Sequence, residues 1–378
     1  MDKKLTVWQA ACIITGYGVG SGIMTLPYLA NRAGLGWSAL ILIAAFFFSY
    51  CMHMMLAELA LGGGKGTQII AIFKKYLFNG PYGRVFVGIL FALTVLVLTT
   101  NLAAYIAGGA EILAAAGIPT PLAQLAFYAV AAGAVFFGLK AIGISESASI
   151  IGIISIIAVL AGASLFHMDN PFVFSTGEPN ELLAFFGMAM FAFVAFFSVP
   201  QAVEGLDHDR AKIRKAILLG LGMNTVFIAV IVVCATGSST HLTELGMIGW
   251  SEGIGAWAQV LGSVFTILAM LTTYWSISLA LGDIIEGQTH FDRRICWLCA
   301  TLPSLLLVMF NLGGFLEIMR MAGGLIAIMI AVLVVPAFRR CRKECGPQLL
   351  PAALASTPMQ VAVLVAFLVM AAGSMVSI

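Results

Sequence analysis

"TGYGVGSGIMTLPY", residues 15–28, stands inside the first apolar run of the chain. Gly16, Gly18, Gly20 and Gly22 fall at every second position, and Pro27 follows. Glycine weakens a helix interior, and proline removes a backbone donor. A bilayer offers no water to satisfy the backbone groups released in this way. A span written like this is built to be interrupted, and the interruption organises the rest of the reading.

The chain has 378 residues, 61% hydrophobic and 10% charged, against roughly a quarter charged in a soluble domain. No water-facing surface can cover that composition, so it predicts an all-α polytopic protein with one membrane domain over residues 1–378. The net charge of +2 is no footprint for a nucleic acid, because the basic residues sit in short loops. The first run, from about Leu5 to Ala30, is longer than a signal-peptide core and lacks a small-residue cleavage site, so it reads as a retained span. Cys12, Cys51 and Cys234 lie in apolar runs and read as small buried hydrophobes. Cys296 and Cys299 form a CxxC, but no further ligand stands at zinc spacing, and no cofactor is expected.

At roughly 20 apolar residues per span, eleven segments begin near residues 6, 35, 84, 120, 146, 182, 214, 257, 293, 314 and 357. With the N-terminus inside, all but Arg32 and Arg320 of the 19 lysines and arginines fall on the cytoplasmic side, while Asp169, Glu178, Glu181, Glu244 and Glu252 fall outside. The expectation is a plasma (inner) membrane protein with a cytoplasmic N-terminus and an external C-terminus.

A second span is also interrupted. The sixth reads "LLAFFGMAMFAFVAFFSVPQAVEGLDHD", residues 182–209, with Ser198 and Pro200 well inside it. Breaks in spans one and six are the relation expected of two five-helix repeats, about residues 6–167 and 182–337, followed by an extra helix over about 357–377. Paired breaks in corresponding positions point to a transporter binding site. Unwinding exposes N–H groups of the outer half-helix and C=O groups of the inner one. The first attract a carboxylate, the second an ammonium or a small cation. A zwitterionic amino acid suits that pair, since neither break holds an ionisable side chain other than Tyr17. Gly18, Gly20, Ser21, Gly22 and Ser198 are therefore candidate substrate contacts, with Gly20 and Gly22 admitting the ligand close to the main chain. Gly16 with Gly20, and Gly18 with Gly22, equally make small-xxx-small packing faces. No GxGxxG register is complete, Val19 spoils a GxSxG elbow, and there is no HExxH, so enzymatic chemistry is not expected.

"GSGIMTLPY" at 20–28 resembles the first-helix motif of the amino acid–polyamine–organocation superfamily, in the pattern of the amino acid/auxin permeases and the related hydroxy and aromatic amino acid permeases. "FAFVAFFSVPQAVEG" at 191–205 resembles their sixth-helix motif. The resemblance covers nearly the whole chain in topology and these two stretches at motif level. It implies the LeuT-like 5+5 inverted repeat, alternating access and cation-coupled amino acid uptake. Two positions depart from it. Sodium-coupled animal members carry Asn where this chain has Gly16, and many members carry His where it has Phe196.

Polar residues inside spans are expensive and so are candidates. Asn101 and Tyr105, four apart in segment three, share a helix face. That segment lies beside the site in the related fold, which makes them candidate substrate contacts. The same residues would also serve to bond a neighbouring helix. Phe193, Phe196 and Phe197 give segment six an aromatic face, either lining a pocket for neutral, bulky or aromatic side chains or packing against helices or lipid. By the resemblance, Thr272 and Thr273 with the carbonyls of Gly16 and Val19 form a candidate Na⁺ site. Those hydroxyls also have the option of bonding back to their own helix. Some proton-coupled relatives use a Lys in the fifth span. "SASIIGIISIIAVLAG" at 147–162 has none, which leaves His53, Glu58 and Glu204 for H⁺ and favours Na⁺. Glu58 and Glu204 also read as cytoplasmic-side gate or loop partners. Glu317 and Arg320 are candidate gate residues at the outer end, paired with each other or set against Arg32 or Asn31. The expected function is a secondary transporter of neutral amino acids. The alternative is a non-transporting amino-acid sensor on the same fold.

Overall fold

The computed structural model describes residues 4–20, 22–174, 177–242, 246–310, 315–346 and 348–376, excepting the side chains of 315–322. Those residues form fifteen helices and no strand. The first interrupted span is α1 (Val7–Val19) and α2 (Leu26–Ala33), and the second is α8 (Pro179–Ala192) and α9 (Ser198–Gly205). Around them stand α3 (Leu35–Gly63), α5 (Gly83–Ala115), α6 (Thr120–Phe136), α7 (Leu139–Ser164), α10 (Arg210–Ser238), α12 (Ala256–Thr289), α13 (Arg293–Met309), α14 (Phe315–Cys345) and α15 (Thr357–Ser374). Two short helices connect spans, α4 (Ile69–Leu77) and α11 (Gly246–Ile254). Among the described residues, seven helices are long and apolar enough to cross a bilayer: α3, α5, α7, α10, α12, α14 from Gly323 onward, and α15.

The burial pattern inverts that of a soluble protein. Leu40 and Ile43 of α3, Val85 and Ile89 of α5, and Val260 of α12 are exposed, and Glu58, Asn101, Glu146, Asn224 and Thr273 are buried. Apolar side chains facing out and polar ones facing in is the arrangement a hydrocarbon solvent selects.

The prolines do not sit in the breaks. Pro27 and Pro200 each stand in the first turn of the helix that resumes, where a missing N–H costs nothing. The breaks themselves are residues 20–25, of which Ser21 lies outside the described residues, and residues 193–197. The fifth span also starts earlier than its apolar run suggests. α7 begins at Leu139, which puts Glu146 two turns inside it.

Contacts at the two ends close the frame. At one end Leu5 N donates to Gly205 O (2.7 Å), joining the start of α1 to the end of α9. There Lys65 bonds Asp207. Glu58, at the end of α3, accepts from Arg342 Nε (3.0 Å) and from the Leu349 and Leu350 amides (2.8 and 2.5 Å). At the other end Leu35 N donates to Val173 O and Gly177 N to Ala33 O. Arg32 Nε bonds Glu181 Oε1 at 2.9 Å and Arg32 Nη1 bonds the Tyr28 hydroxyl at 3.0 Å. α11 leans on the first break from the same end, with Gly246 N donating to Met24 O (2.8 Å).

Candidate functional site

The two breaks lie beside each other and present opposite polarity. α1 and α8 both end at a break, so each offers carbonyls there. α2 and α9 both begin at one, so each offers amides. The two breaks run in opposite directions, so the carbonyl end of one faces the same way as the amide end of the other. α8 leads in from the end that holds Arg32 and Glu181 and carries the carbonyls.

The glycines of α1 are close approaches. A Cβ on Gly18 would stand 2.3 Å from Ala192 O and 2.2 Å from Asn224 Nδ2. One on Gly20 would stand 2.4 Å from Ala269 O and 2.1 Å from Thr273 Oγ1. A Cβ on Gly22 would stand 2.9 Å from Met188 O, and one on Gly16 would run into Glu146 Oε2. Gly16 and Gly20 thus bring α7 and α12 onto the broken helix, and Gly18 and Gly22 bring α8 and α10. Only a residue without a side chain permits all four contacts.

Thr272 and Thr273 are fully buried and reach the first break. Thr273 Oγ1 donates to Gly16 O (2.8 Å), with Tyr17 O at 3.4 Å, and Thr272 Oγ1 lies 3.3 Å from Gly16 O. Both also bond back to Ala269 O, at 3.1 and 2.8 Å. The structure brings Thr272, Thr273 and Gly16 together. The hydrogen bonds it shows run to the Gly16 and Tyr17 carbonyls and not to that of Val19.

Asn101 and Tyr105 are buried on α5, and Tyr105 interacts with Tyr17 and Thr273 at the first break. Phe193 and Phe196 face neither lipid nor solvent. Phe193 sets its edge on Phe46 of α3 (6.1 Å) and Phe196 stacks on Phe73 of α4 (6.3 Å). Ser198 begins α9 and is buried. Ser21 and the Glu317 and Arg320 side chains lie outside the described residues. The ion pair described at that end is Arg32–Glu181.

Three residues missed by the sequence reading complete the surroundings. Asn224 of α10 is 0% exposed, stands against Gly18, and points Nδ2 at Ala192 O (3.5 Å), so it touches both broken spans. Gln201 of α9 donates to Ser276 O (3.4 Å). Glu146 of α7 accepts from Ser276 Oγ (2.8 Å). The Asn in segment seven was visible as an intramembrane polar residue. Near the breaks, Tyr17 Oη, Asn101 Oδ1, Ser198 Oγ, Gln201 Oε1 and Asn224 Oδ1 are buried without a hydrogen-bond partner among the described residues. Leaving such atoms unpaired costs about 1–3 kcal/mol each, which natural structures accept where a polar ligand belongs.

His53 of α3 holds the second break. Ala195 N–H can only donate, so His53 Nε2 accepts from it (3.0 Å). Ser49 O can only accept, so Nδ1 carries the proton there (2.5 Å). Both nitrogens are used by the neutral ring. Glu58 is clamped by Arg342 and two amides, and Glu204 accepts from Gly66 N (3.0 Å). The latter two are loop anchors.

An open cleft reaches inward from the end that holds Gly66 and Arg293. Its wall includes Thr67, Phe197, Gln201, Glu204, His208 and Asp283. At the opposite end stand the Arg32–Glu181 ion pair and α11.

Two interrupted spans side by side, lined by buried polar groups, match a known sequence family from end to end. Residues 3–376 match the tryptophan/tyrosine permease family. The chain belongs to that family. The permease is 23% identical over 379 residues to a tryptophan-specific transport protein of Pseudomonas aeruginosa, covering 92% of this chain and 89% of that one. It is 24% identical over 381 residues to the tyrosine-specific transport system 2 of Haemophilus influenzae, covering 90% and 89%. In fold it resembles Mhp1, a nucleobase-cation-symport-1 family transporter solved closed with bromovinylhydantoin bound. The TM-score is 0.70 at 14% identity, over 99% of this chain and 92% of that one.

Proposed function

We infer that this permease is a cation-coupled symporter that moves neutral amino acids, bulky or aromatic ones fitting best, by alternating access between two five-helix repeats. The observation that carries this is the pair of interrupted spans brought together with opposite polarity and ringed by buried, unpaired polar atoms. In this reading the chain crosses the membrane eleven times, with the N-terminus in the cytoplasm, so the open cleft faces the cytoplasm. The amino acid sits between residues 20–25 and 193–197. Its carboxylate is drawn to the amides that begin α2 or α9 and its ammonium to the carbonyls that end α1 or α8. Asn101, Tyr105, Ser198 and Asn224 complete its polar contacts, and Phe193 and Phe196 back the side-chain pocket. The coupling cation acts at Gly16 and Thr272–Thr273. A family of permeases gives the sensor reading no support.

The test is uptake of labelled tryptophan into proteoliposomes, with tyrosine, phenylalanine and glutamine as competitors. The reading expects saturable uptake that the aromatic amino acids inhibit. Uptake no greater than in empty liposomes, for every neutral amino acid, would overturn it.

A further inference from the structure

Away from the two breaks, a pair of thiols and a phenol meet at one hollow. Cys341 and Cys345 are four apart at the end of α14, so they share a helix face with roughly 5–6 Å between Cβ atoms. Both thiols turn toward Gly62 of α3. A Cβ on Gly62 would stand 2.5 Å from Cys341 Sγ, 3.5 Å from Cys345 Sγ and 2.7 Å from Tyr76 Oη of α4. Tyr76 Oη lies 3.6 Å from Cys345 Sγ and interacts with both thiols, which also interact with each other. The missing side chain at residue 62 leaves room where two sulfurs and a hydroxyl converge. Cys341 is buried and Cys345 is exposed, so one member of the pair is within reach of water.

What such a dithiol can hold follows from its donors. Zinc in a structural site takes four ligands, and hard cations take a full shell of oxygens. Among the described residues, no three His, Cys, Asp or Glu side chains gather as a metal site. A soft d¹⁰ cation such as Cu(I) is satisfied by two thiolates in a line, and thiolates select for it. The complex of one such cation with two thiolates carries one net negative charge. Lys75 Nζ sits on Gly62 O (2.8 Å) and Arg340 Nη1 on Tyr76 O (2.8 Å), so cationic side chains flank that charge. Glu58, the acid of this corner, is already paired with Arg342. The rival pair is Cys296 and Cys299. There the Cys296 thiol is turned to Phe291 O (3.6 Å), and Cys299 is exposed.

We propose that Cys341 and Cys345 form a binding site for a soft, thiophilic monovalent cation, of which Cu(I) is the type. The site goes beyond the transport reading above, and nothing in it depends on what the two breaks bind. On binding, two S–H bonds break, two S–metal bonds form, and two protons pass to water. The cation keeps its oxidation state, so no oxidant or reductant takes part. Cys341 Sγ gives up its bond to Glu58 O (3.7 Å), and Cys345 turns in from the solvent. The hollow so filled lies where α3, α4 and α14 meet. Gly62 stands two residues before Gly64, which belongs to the cleft wall, so the bound cation sits directly behind that wall.

The experiment is an anaerobic titration of the purified full chain with Cu(I) held in a chelator buffer, followed by X-ray absorption of the bound copper. Wild type should bind a single Cu(I) with two sulfur neighbours, and its melting temperature should rise on loading. Cys345→Ser changes an exposed position and should fold as wild type does. It should bind Cu(I) roughly 100-fold more weakly and lose the rise in melting, because the second thiolate no longer acts within the same site. Cys341→Ser keeps a donor for Glu58 O and should show the same loss. Replacing Cys296 and Cys299 together with Ser should leave affinity and coordination as in wild type. Tight binding that survives in Cys345→Ser, or that disappears with Cys296 and Cys299, would overturn the assignment. So would copper with nitrogen or oxygen neighbours alone, or wild-type binding no tighter than that of Cys345→Ser, which would mean an adventitious thiol adduct only.

Discussion

Side chains and amides reach the first break at its carbonyls, whereas the second is reached at the Ala195 amide by His53 and at Ala192 O by Asn224. Around residues 20–25, the Thr273 hydroxyl binds Gly16 O, Gly246 N binds Met24 O, and the Glu146 carboxyl lies on Gly16. Around residues 193–197, one imidazole binds Ala195 N and is itself fixed by Ser49 O. Hydroxyls and a carboxyl can exchange partners with a cation or a proton, while a neutral imidazole with both nitrogens engaged cannot change state without breaking its bonds. The comparison sets a first break lined by hydroxyls against a second break held by a fixed imidazole.

Adding a methyl group to the first span is the harshest way to break that comparison. Gly18→Ala and Gly20→Ala each drive a Cβ to within 2.4 Å of a backbone carbonyl oxygen, and backbone cannot step aside. Overpacking of this kind costs about 1–3 kcal/mol. Both variants should lose most transport and melt earlier, whereas Gly22→Ala, with its nearest contact at 2.9 Å, should be the mildest of the three. Thermal melts and uptake on the same preparations check the order.

His53→Leu comes next. It leaves the buried Ala195 amide without its acceptor, a loss of about 1–3 kcal/mol. His53→Gln can accept through its side-chain oxygen and should recover part of it. Equal melting of the two variants would show that the hydrogen bond to the second break contributes nothing. Thr273→Val is smaller, removing one hydroxyl from Gly16 O at about 1 kcal/mol. It should weaken substrate binding more than it lowers the melting temperature.

The smallest effect belongs to the Lys65–Asp207 pair at the mouth of the cleft. Lys65 holds the Asp207 carboxyl below the usual carboxylate range, and Asp207 holds the Lys65 ammonium above its usual range. The pair is lost on the acid side as pH falls through the lowered Asp207 value, and on the alkaline side as pH rises through the raised Lys65 value. It is therefore complete between about pH 4 and about pH 10. Lys65→Ala should change uptake by less than about twofold, equally at pH 6 and pH 8, and the difference from wild type should shrink in high salt.

Much of this architecture was legible in the sequence. Alternating glycines with Pro27, and Ser198 with Pro200, located both interruptions, because helix-breaking residues inside apolar runs have few other meanings. Thr272 and Thr273 were found at the first break through the resemblance. Glu146 was missed for a physical reason. It stands at the edge of the long apolar run that begins at Ser147, and hydropathy alone sets the start of the span after the charge. The helix in fact begins at Leu139 and carries the carboxyl inward. α4 and α11 were missed because nine residues make no span. The use of His53 by the second break links residues 142 apart in the chain, and no local pattern encodes that.

The central claim is that substrate binds between the two breaks. Hydrogen–deuterium exchange of the purified permease, with and without tryptophan, tests it most directly. The account predicts added protection in peptides covering both residues 20–25 and residues 193–197, and little change in the Lys65–Asp207 loops. Protection confined to other helices, with both breaks unchanged, would contradict it.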